Sequence, residues 1–239
     1  MKIKICGLFR EQDIEFVNEA RPDYAGFVFA KSKRQVSAPL AQYLRFRLAN
    51  DITPVGVFIN APIDYIASLF HNGTISIAQL HGDEDESYIT QLKRKCSVSG
   101  SSAQMPVIKA VKFTGTKKIQ GSVFINSEVK NKNIDYLLVD SGKNLNWNQF
   151  KNLKISKPWF LSGGINLDNI KKAMALNPFA VDISGGAETD GFKDREKILQ
   201  LTGLCRKTSQ TGKSNDVSMS LSVAVYERKT RLSLSYDET

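Results

Sequence analysis

The sequence has few of the features that mark secreted, metal-binding or membrane proteins. Its 239 residues include three cysteines, the widely spaced Cys6, Cys96 and Cys205, and two histidines. Because these residues form no CxxC pair and no cluster of ligands, we predict free thiols and no metal site. No run approaches the roughly 20 apolar residues of a membrane span, and the first residues are strand-like instead of a charged leader. We therefore predict a cytoplasmic protein without a membrane partner.

The sequence also lacks the patterns of nucleic-acid-binding proteins and of serine hydrolases. The net charge of +9 would suit a nucleic acid, but the Lys and Arg residues are scattered and no aromatic-and-basic motif accompanies them. A solvated lysine-rich surface explains this charge, and attraction of an anionic metabolite is the alternative. His71 and His81 are accompanied by no glycine-flanked nucleophilic serine, which disfavours a Ser/His/Asp mechanism. We predict a small-molecule ligand and no nucleic acid.

What the sequence does contain is a regular alternation of short apolar runs and helical segments. Buried parallel strands are continuous apolar runs, as in Gly26–Phe29, whereas the segments between them repeat at helical spacing, as in Ile63, Ile66 and Phe70. The eight runs are Lys2 to Cys6, Tyr24 to Phe29, Pro54 to Ile59, Ile75 to His81, Val107 to Phe113, Tyr136 to Asp140, Pro158 to Leu161 and Ala180 to Ser184. A doubly wound sheet usually has fewer strands and an early glycine-rich fingerprint. The predicted fold class is therefore α/β, a single-domain (β/α)8 TIM barrel.

The character of the sequence changes near Cys205, where eight βα units are already complete. A linker-like stretch is followed by alternating apolar residues from Met219 to Val225 and again from Leu232 to Tyr236. This alternation suits a β-hairpin, and the alternatives are a disordered tail or a segment extraneous to the barrel. We predict a barrel over residues 1–206 and a C-terminal extension of uncertain structure over residues 207–239.

Two glycine pairs follow the last two predicted strands. They are Gly163-Gly164 and Gly185-Gly186, and Ser184 directly precedes the second pair. Glycine lets backbone amides approach an anion closely, and a helix start after the first pair would add a favourable dipole. In addition, the loops after strands 7 and 8 of a barrel recurrently bind phosphate. Two ordinary strand-to-helix turns are the alternative. We predict that these five residues form a phosphate site.

Cys6 and Asp140 end the first and sixth predicted strands, at the edge of a barrel where active sites are assembled. We expect the Cys6 thiol to point into the mouth, where Arg34 would lower its pKa and favour the thiolate, which is a base. Burial and substrate anions would raise the pKa of Asp140 and keep a proton on it for donation. Each residue also has a purely structural interpretation, Cys6 as a small buried apolar side chain and Asp140 as a helix N-cap.

Seven motifs, in order along the chain, carry more information together than any one of them alone. They are Lys4-Ile5-Cys6-Gly7, Gly26-Phe27-Val28-Phe29 with Lys31 to Ser37, Val55-Gly56-Val57-Phe58, Gln79-Leu80-His81-Gly82-Asp83, Leu137-Leu138-Val139-Asp140, Leu161-Ser162-Gly163-Gly164-Ile165-Asn166 and Val181-Asp182-Ile183-Ser184-Gly185-Gly186-Ala187-Glu188. In this ordered set the sequence resembles the phosphoribosylanthranilate isomerase family from Met1 to about Arg206.

The resemblance implies isomerisation of N-(5-phosphoribosyl)anthranilate to its 1-deoxyribulose 5-phosphate product in tryptophan biosynthesis, without a metal or organic cofactor. By position, Cys6 matches the general base that removes the ribose C2′ proton, and Asp140 matches the general acid that protonates the ring oxygen. Arg34 resembles the residue that holds the anthranilate carboxylate, and Asp182 the residue that meets the amine. His81 falls with the substrate-binding residues. The expected ligand is a small phosphosugar.

The sequence departs from the family pattern in two places. After strand 6 it has only Ser141 to Trp147, where a Gly-Gly-x-Gly-type segment is usual, which affects closure over the substrate but not the identity of the acid. The strand-8 motif is Ser-Gly-Gly-Ala-Glu in place of Ser-Ser-Gly-Val-Glu. Gly185 therefore replaces one phosphate-binding hydroxyl, and backbone amides would compensate.

Cys6 and Asp140 also distinguish this function from its alternatives. Two related phosphate-binding barrel enzymes are the nearest alternatives. The histidine-pathway isomerase is associated with a two-aspartate mechanism and indole-glycerol-phosphate synthase with a lysine and a glutamate. Cys6 argues against both, because the first strand of this sequence ends in cysteine. A barrel that has lost its catalytic activity and serves as a binding or scaffold partner would explain the short loop and the tail. Such a protein would have no reason to retain Cys6 and Asp140. The sequence leaves monomer and homodimer open.

Overall fold

Eight parallel strands close into a barrel in their order along the chain. The structure, a computed structural model, describes residues 1–97, 104–112, 130–142 and 155–210. The strands are β1 (Lys2–Cys6), β2 (Tyr24–Val28), β3 (Thr53–Phe58), β4 (Ile77–Leu80), β5 (Val107–Lys112), β6 (Tyr136–Asp140), β7 (Trp159–Ser162) and β8 (Ala180–Ile183). The predicted (β/α)8 barrel is thus confirmed.

The ends of the sheet meet between β8 and β1. Lys4 on β1 is in register with Tyr24 on one side and with Asp182 of β8 on the other, and both pairings are parallel. The predicted fourth strand started at Ile75, but β4 begins two residues later because the backbone of Ile75 donates to the carbonyl of Leu69 in a turn. The predicted end of the fifth strand, Phe113, lies outside the described residues.

Helices cover the outside of the barrel. In the described residues they are α1 (Glu11–Ala20), α2 (Ala38–Arg47), α3 (Ile63–His71), α4 (Glu86–Lys95), α5 (Ile170–Met174) and α6 (Arg195–Gln210). Ser37 and Asp85 cap α2 and α4 by accepting backbone hydrogen bonds from Leu40 and Tyr88. None of the helices in these ranges is long and apolar enough to cross a membrane. A two-stranded antiparallel ribbon, β9 (Glu188–Thr189) and β10 (Phe192–Lys193), lies between β8 and α6.

The C-terminal boundary predicted at residue 206 falls inside α6, which continues to Gln210. Residues 211–239, which include the alternating segment for which the sequence leaves a hairpin and a disordered tail both open, lie outside the described residues. The division into 1–206 and 207–239 therefore stays a prediction.

Alternation along the strands separates two apolar clusters. Ile3 and Ile5 on β1 pack outward, among residues that also contact the helices, whereas Phe160 belongs to a separate cluster inside the barrel. The inner cluster consists of Tyr24, Val55, Ile77, Ile108, Ala110, Leu138, Phe160 and Ala180. On β6 and β8 the next inward positions after Leu138 and Ala180 are Asp140 and Asp182. The apolar filling therefore ends where the polar mouth begins.

Phe160 is fully buried at the centre of this inner cluster, with the rings of Tyr24, Tyr136 and Phe179 at centroid distances of 5.4, 5.7 and 5.8 Å. We expect Phe160→Ala to lower the free energy of unfolding by roughly 3–5 kcal/mol, because contacts are lost and a cavity remains. Urea denaturation measures the change. The matched control is Phe46→Ala on α2, where the ring is 90% exposed. Equal losses in the two variants would contradict the assignment of an inner core.

Candidate active site

The predicted catalytic and substrate residues meet at the carboxyl ends of the strands. Cys6 ends β1, Asp140 ends β6, Asp182 lies on β8 and His81 follows β4. Their strands are parallel, so these ends share one rim of the barrel. The backbone N–H of His81 donates to the carbonyl of Phe58 at 2.8 Å, which ties the chain after β4 to the end of β3. The structure therefore brings the predicted residues to one mouth.

Lys4 lies directly beneath Cys6 on the inward face of β1, because residues two apart on a strand point the same way. Its side chain is fully buried, and its Nζ atom is 2.9 Å from Oδ1 of Asp182. Burial acts to lower the pKa of Lys4, but Asp182 and Cys6 raise it more, so the pKa lies above its ordinary value. Lys4 is therefore an ammonium group at neutral pH. Sequence reasoning did not single it out, although a lysine within an inward-facing apolar strand is a visible signal.

The protonation state predicted for Cys6 was wrong. The side chain is 7% exposed, and burial raises the pKa of its thiol above the ordinary value, outweighing the ammonium groups of Lys4 and Lys193, which lower it. Asp182 raises the pKa of the thiol as well. With the groups that the chain itself supplies, Cys6 is a thiol at neutral pH. The prediction relied on a nearby cation and took no account of burial, which the sequence does not display.

Two glycines make room for Cys6 and for the turn that follows it. A Cβ atom on Gly26 of β2 would lie 2.7 Å from the Cys6 sulfur. Gly7 has a φ of +83°, which other residues rarely adopt, and a Cβ atom there would lie 2.4 Å from Cδ of Arg34. The glycines thus bring the thiol and the Arg34 side chain to the same corner of the mouth.

Arg34 is held by a carboxylate of the chain itself. Its Nε and Nη2 atoms donate to the two carboxylate oxygens of Glu188, at 2.5 and 2.6 Å. This pairing orients the guanidinium, but it uses the Nε and Nη2 donors on one side of the group. The Nη1 atom makes no hydrogen bond with the described residues. Sequence reasoning placed Arg34 correctly at the mouth, and it did not predict the partner, which is 154 residues away.

Lys193 on β10 is the second cation on Glu188 and was missed by the sequence analysis. Its Nζ atom lies 2.7 Å from Oε1 of Glu188 and 3.1 Å from the carbonyl of Ser184. Burial acts to raise the pKa of Glu188, but hydrogen bonds from Arg34 and Lys193 bring it below its ordinary value. Burial lowers the pKa of Lys193, against the effect of Glu188. No local sequence signal identifies Lys193, because it lies in a short ribbon after the last barrel strand.

His81 and Asp140 face each other across the mouth. Nε2 of His81 is 3.5 Å from Oδ2 of Asp140, and the backbone N–H of Gly142 donates to Oδ1 of Asp140 at 3.0 Å. On the other side of the ring, Nε2 of Gln79 lies 3.2 Å from Nδ1 of His81. The side chain of Asp140 is 26% exposed, so part of it is accessible from the mouth. The shortened loop at residues 143–147 lies outside the described residues, as does any helix that Asp140 would cap.

The two glycine pairs predicted to bind phosphate are neighbours in space. A Cβ atom on Gly186 would lie 1.8 Å from the carbonyl oxygen of Ile165, so only glycine fits where the second loop packs on the first. Gly163 and Gly164 adopt φ values of +103° and +61°. Gly185 directly follows Ser184 and lies beside the guanidinium of Arg34. A Cβ atom on Gly185 would be 3.5 Å from Nη2 of Arg34. Phosphate binding there stays a prediction.

The helix expected directly after the first glycine pair begins later than the expected start at residues 166–169. Residues 166–169 form a turn, and α5 spans only the five residues from Ile170. A helix of this length has a weak dipole, so backbone amides of the glycine loops would carry the interaction with an anion.

Together, the fold and the mouth define a protein of the (β/α)8-barrel class, with a thiol, a carboxylate and several cationic side chains at the carboxyl ends of its strands. The family model for N-(5′-phosphoribosyl)anthranilate isomerase matches residues 3–202. The chain belongs to the N-(5′-phosphoribosyl)anthranilate isomerase family. The histidine-pathway isomerase and indole-glycerol-phosphate synthase are therefore set aside.

Individual relatives agree with this assignment. An N-(5′-phosphoribosyl)anthranilate isomerase from Clostridium acetobutylicum is 44% identical over 87% of this chain and 98% of its own length. The protein of the same name from Endomicrobium trichonymphae is 42% identical over 86% of this chain and 98% of its own length.

Solved structures of the family superimpose on the barrel. Phosphoribosyl anthranilate isomerase from Thermus thermophilus aligns with a TM-score of 0.72 and 26% identity, over 87% of this chain and 100% of that one. The Thermotoga maritima enzyme does so with a TM-score of 0.73 and 27% identity, over 87% and 99% of the two chains. A 3-hexulose-6-phosphate synthase from Salmonella typhimurium, 12% identical with a TM-score of 0.65, shares the fold alone.

The pKa of Cys6 is testable by ultraviolet titration of its thiolate. Cys96→Ala and Cys205→Ala leave Cys6 as the single thiol and remove two groups whose pKa burial raises to about 11. We expect the Cys6 thiolate to appear above the ordinary cysteine range of about 8.5. Lys4→Met should move the midpoint higher still, because an ammonium that stabilises the thiolate is lost.

The same protein with Cys6→Ser supplies the blank, and circular dichroism checks that each variant folds. A midpoint at or below neutral pH would show that cations, and not burial, dominate the pKa of Cys6.

Proposed function

We propose that the chain catalyses the Amadori rearrangement of N-(5′-phosphoribosyl)anthranilate to 1-(2-carboxyphenylamino)-1-deoxy-D-ribulose 5-phosphate in L-tryptophan biosynthesis, with Cys6 as base and Asp140 as acid. The observation that carries the activity is the 44% identity to an isomerase over 98% of that protein's length. In addition, a phosphoribosyl anthranilate isomerase that is 27% identical to this chain has been solved in complex with reduced 1-(o-carboxyphenylamino)-1-deoxyribulose 5-phosphate. The roles of individual residues are our proposal and rest on the geometry of the mouth.

The reaction needs one acid and one base. Protonation of the ring oxygen lets the C1′–O bond break, while the lone pair of the anthranilate nitrogen forms a C=N bond to C1′. A base then removes the proton from C2′, and the electron pair of that C–H bond moves to form an enolamine. Tautomerisation of the enolamine gives the ketone, so hydrogen is moved within one molecule and no external oxidant or reductant is consumed.

Asp140 and Cys6 are suitably placed for these two roles. Their strands, β6 and β1, are three steps apart around a closed eight-stranded barrel, so the two groups reach a central ligand from nearly opposite sides. The carboxyl group of Asp140 is partly exposed and lies at the rim. An acid on one side and a base on the other allow the ring to open before the C2′ proton is removed.

Cys6 acts as a base only as the thiolate. Lys4 and Lys193 favour that form, since their ammonium groups lower the pKa of the thiol, whereas burial opposes it. In the proposed mechanism, only those enzyme molecules in which Cys6 is a thiolate are active. Turnover is expected to rise with pH as this fraction grows.

The remaining predicted residues would bind the substrate. Arg34, oriented by Glu188, would meet the anthranilate carboxylate with the part of its guanidinium that Glu188 does not use. Asp182 would accept a hydrogen bond from the amine, and His81 would contact the ligand beside Asp140. The glycine loops after β7 and β8 would bind the phosphate through backbone amides.

We also propose that the protein works in the cytoplasm on this small phosphosugar, without nucleic acid, as a monomer or a homodimer. A Thermotoga maritima relative is described as dimeric. Sedimentation equilibrium over a series of protein concentrations distinguishes the two states in this chain.

The acid and base are tested with freshly made phosphoribosylanthranilate in the presence of a chelator, by following the loss of anthranilate-type fluorescence. We expect rapid loss with the unmodified protein, and Asp140→Asn or Cys6→Ser should lower kcat by roughly 10²–10⁴-fold, with KM little changed. Near-normal turnover by Cys6→Ser would overturn the base. Fluorescence loss at only the uncatalysed rate with the unmodified protein would overturn the activity.

The role of Arg34 predicts a loss of both binding and turnover in Arg34→Ala, because the bound carboxylate orients the reacting ribose. Arg34→Lys should be nearly as impaired, since lysine keeps the charge but loses the planar fork. Steady-state kinetics separates KM from kcat. Lys31→Ala is the matched control, because Lys31 is an exposed cation of the same loop. An equal effect of Lys31→Ala would mean that only the overall charge matters.

A further inference from the structure

Gln79 is a buried polar residue at the mouth for which neither the fold nor the proposed mechanism accounts so far. It lies on β4, is 2% exposed and precedes His81 by two residues, so both side chains belong to the inward face. Its Oε1 atom is buried without a hydrogen-bond partner among the described residues. A buried unpaired amide oxygen is unfavourable, and leucine would fill nearly the same volume without it. What glutamine adds here is the Nε2 donor.

The donor of Gln79 decides which nitrogen of His81 carries the hydrogen. Nε2 of Gln79 lies 3.2 Å from Nδ1 of His81, and an amide nitrogen only donates, so Nδ1 must be the acceptor. The single hydrogen of the neutral imidazole is then on Nε2. That nitrogen faces Oδ2 of Asp140 at 3.5 Å, and a carboxylate accepts such a hydrogen.

The opposite orientation of the amide does not suit a neutral ring. If Oε1 of Gln79 faced Nδ1 of His81, the hydrogen would have to be on Nδ1, and Nε2 would turn a lone pair towards the carboxylate of Asp140. Two acceptors would then face each other. Only a doubly protonated ring would fit that orientation. With a neutral ring and an ionised Asp140, the state that follows proton donation, the contacts on both sides of His81 therefore agree on a single arrangement.

We propose that Gln79 is a positioning residue that holds His81 as the neutral Nε2–H tautomer, with this hydrogen directed at Asp140. The proposal rests on the proposed function in that Asp140 is taken as the acid. When Asp140 has given up its proton, negative charge develops on its carboxylate. Oδ1 then accepts from Gly142 at 3.0 Å, and Oδ2 faces the Nε2–H group of His81. Both donors stabilise the product of proton donation.

Nitrogen-15 NMR tests the tautomer without any assay of activity. The chain has two histidines, and His71, on α3, is exposed and contacts the carbonyl of Lys95, so His71→Gln leaves His81 as the only imidazole. At about pH 8, above the ordinary range of histidine, we expect the long-range ¹H–¹⁵N pattern of the Nε2–H tautomer. A dominant Nδ1–H tautomer would overturn the proposal.

Two substitutions of Gln79 in this background distinguish positioning from packing. Gln79→Leu keeps the volume and removes the donor, so His81 should become a mixture of tautomers. Gln79→Glu replaces the donor by an acceptor, so Nδ1 should carry a hydrogen. Both variants remove the same buried amide, and a purely structural role would leave the tautomer unchanged in both. An unchanged Nε2–H pattern would overturn the proposal, and circular dichroism identifies a variant that has failed to fold.

The kinetic readout uses Gln79→Leu in the otherwise unmodified chain. We expect kcat to fall roughly tenfold with KM nearly unchanged, the factor that one hydrogen bond contributes. The limb of the pH profile on which activity is lost as pH rises should move to higher pH, because a carboxylate that loses a donor is protonated more readily. A lower kcat with an unmoved limb would overturn the link to Asp140. Absence of isomerase activity in the unmodified chain would count against the proposed function alone, since the NMR result stands by itself.

Discussion

Lys4 and Asp182 form a buried ion pair at the seam where the last strand of the barrel meets the first. Desolvation makes two such charges unfavourable, and only their direct contact at 2.9 Å and the surrounding polar groups offset that cost. The pair links β1 to β8 across 178 residues of chain, at a position where the barrel interior changes from apolar to polar. Removal of either partner would leave an unpaired charge beneath the thiol of Cys6, so closure of the fold and electrostatics of the mouth depend on the same contact.

The charges at this corner of the mouth form two connected groups. In one, the Lys4 ammonium lies between Asp182 and Cys6, and in the other, Glu188 is shared by Arg34, Lys193 and the more distant Lys33 at 3.8 Å. Four cations therefore face two carboxylates, and this excess of positive charge suits a substrate that carries both a phosphate and a carboxylate. Burial of the thiol works against the same cations. The state of Cys6 is a balance of two opposing effects and is not set by one neighbour.

The sequence identifies those parts of the structure that depend on local pattern. Continuous apolar runs located all eight strands, and strand ends placed Cys6, Asp140 and Asp182 at one rim, because parallel strands have a common direction. What it did not identify depends on contacts between distant residues. Glu188 was visible as part of a motif, but its pairing with Arg34 spans 154 residues. The wrong prediction for the pKa of Cys6 has the same origin, since burial is produced by packing of the whole barrel.

Two pairs of side chains in the mouth share the same geometric relation. Strand alternation places a supporting side chain two positions before a side chain at the rim, as with Lys4 beneath Cys6 and Gln79 beneath His81. Each supporting group is more buried than the group it contacts, so water competes less for its charge or its hydrogen bond. Its influence on protonation is correspondingly strong. The inward positions one pleat below the rim therefore influence the protonation of the side chains at the rim, and a polar residue at such a position in an otherwise apolar strand is the sequence signal to look for.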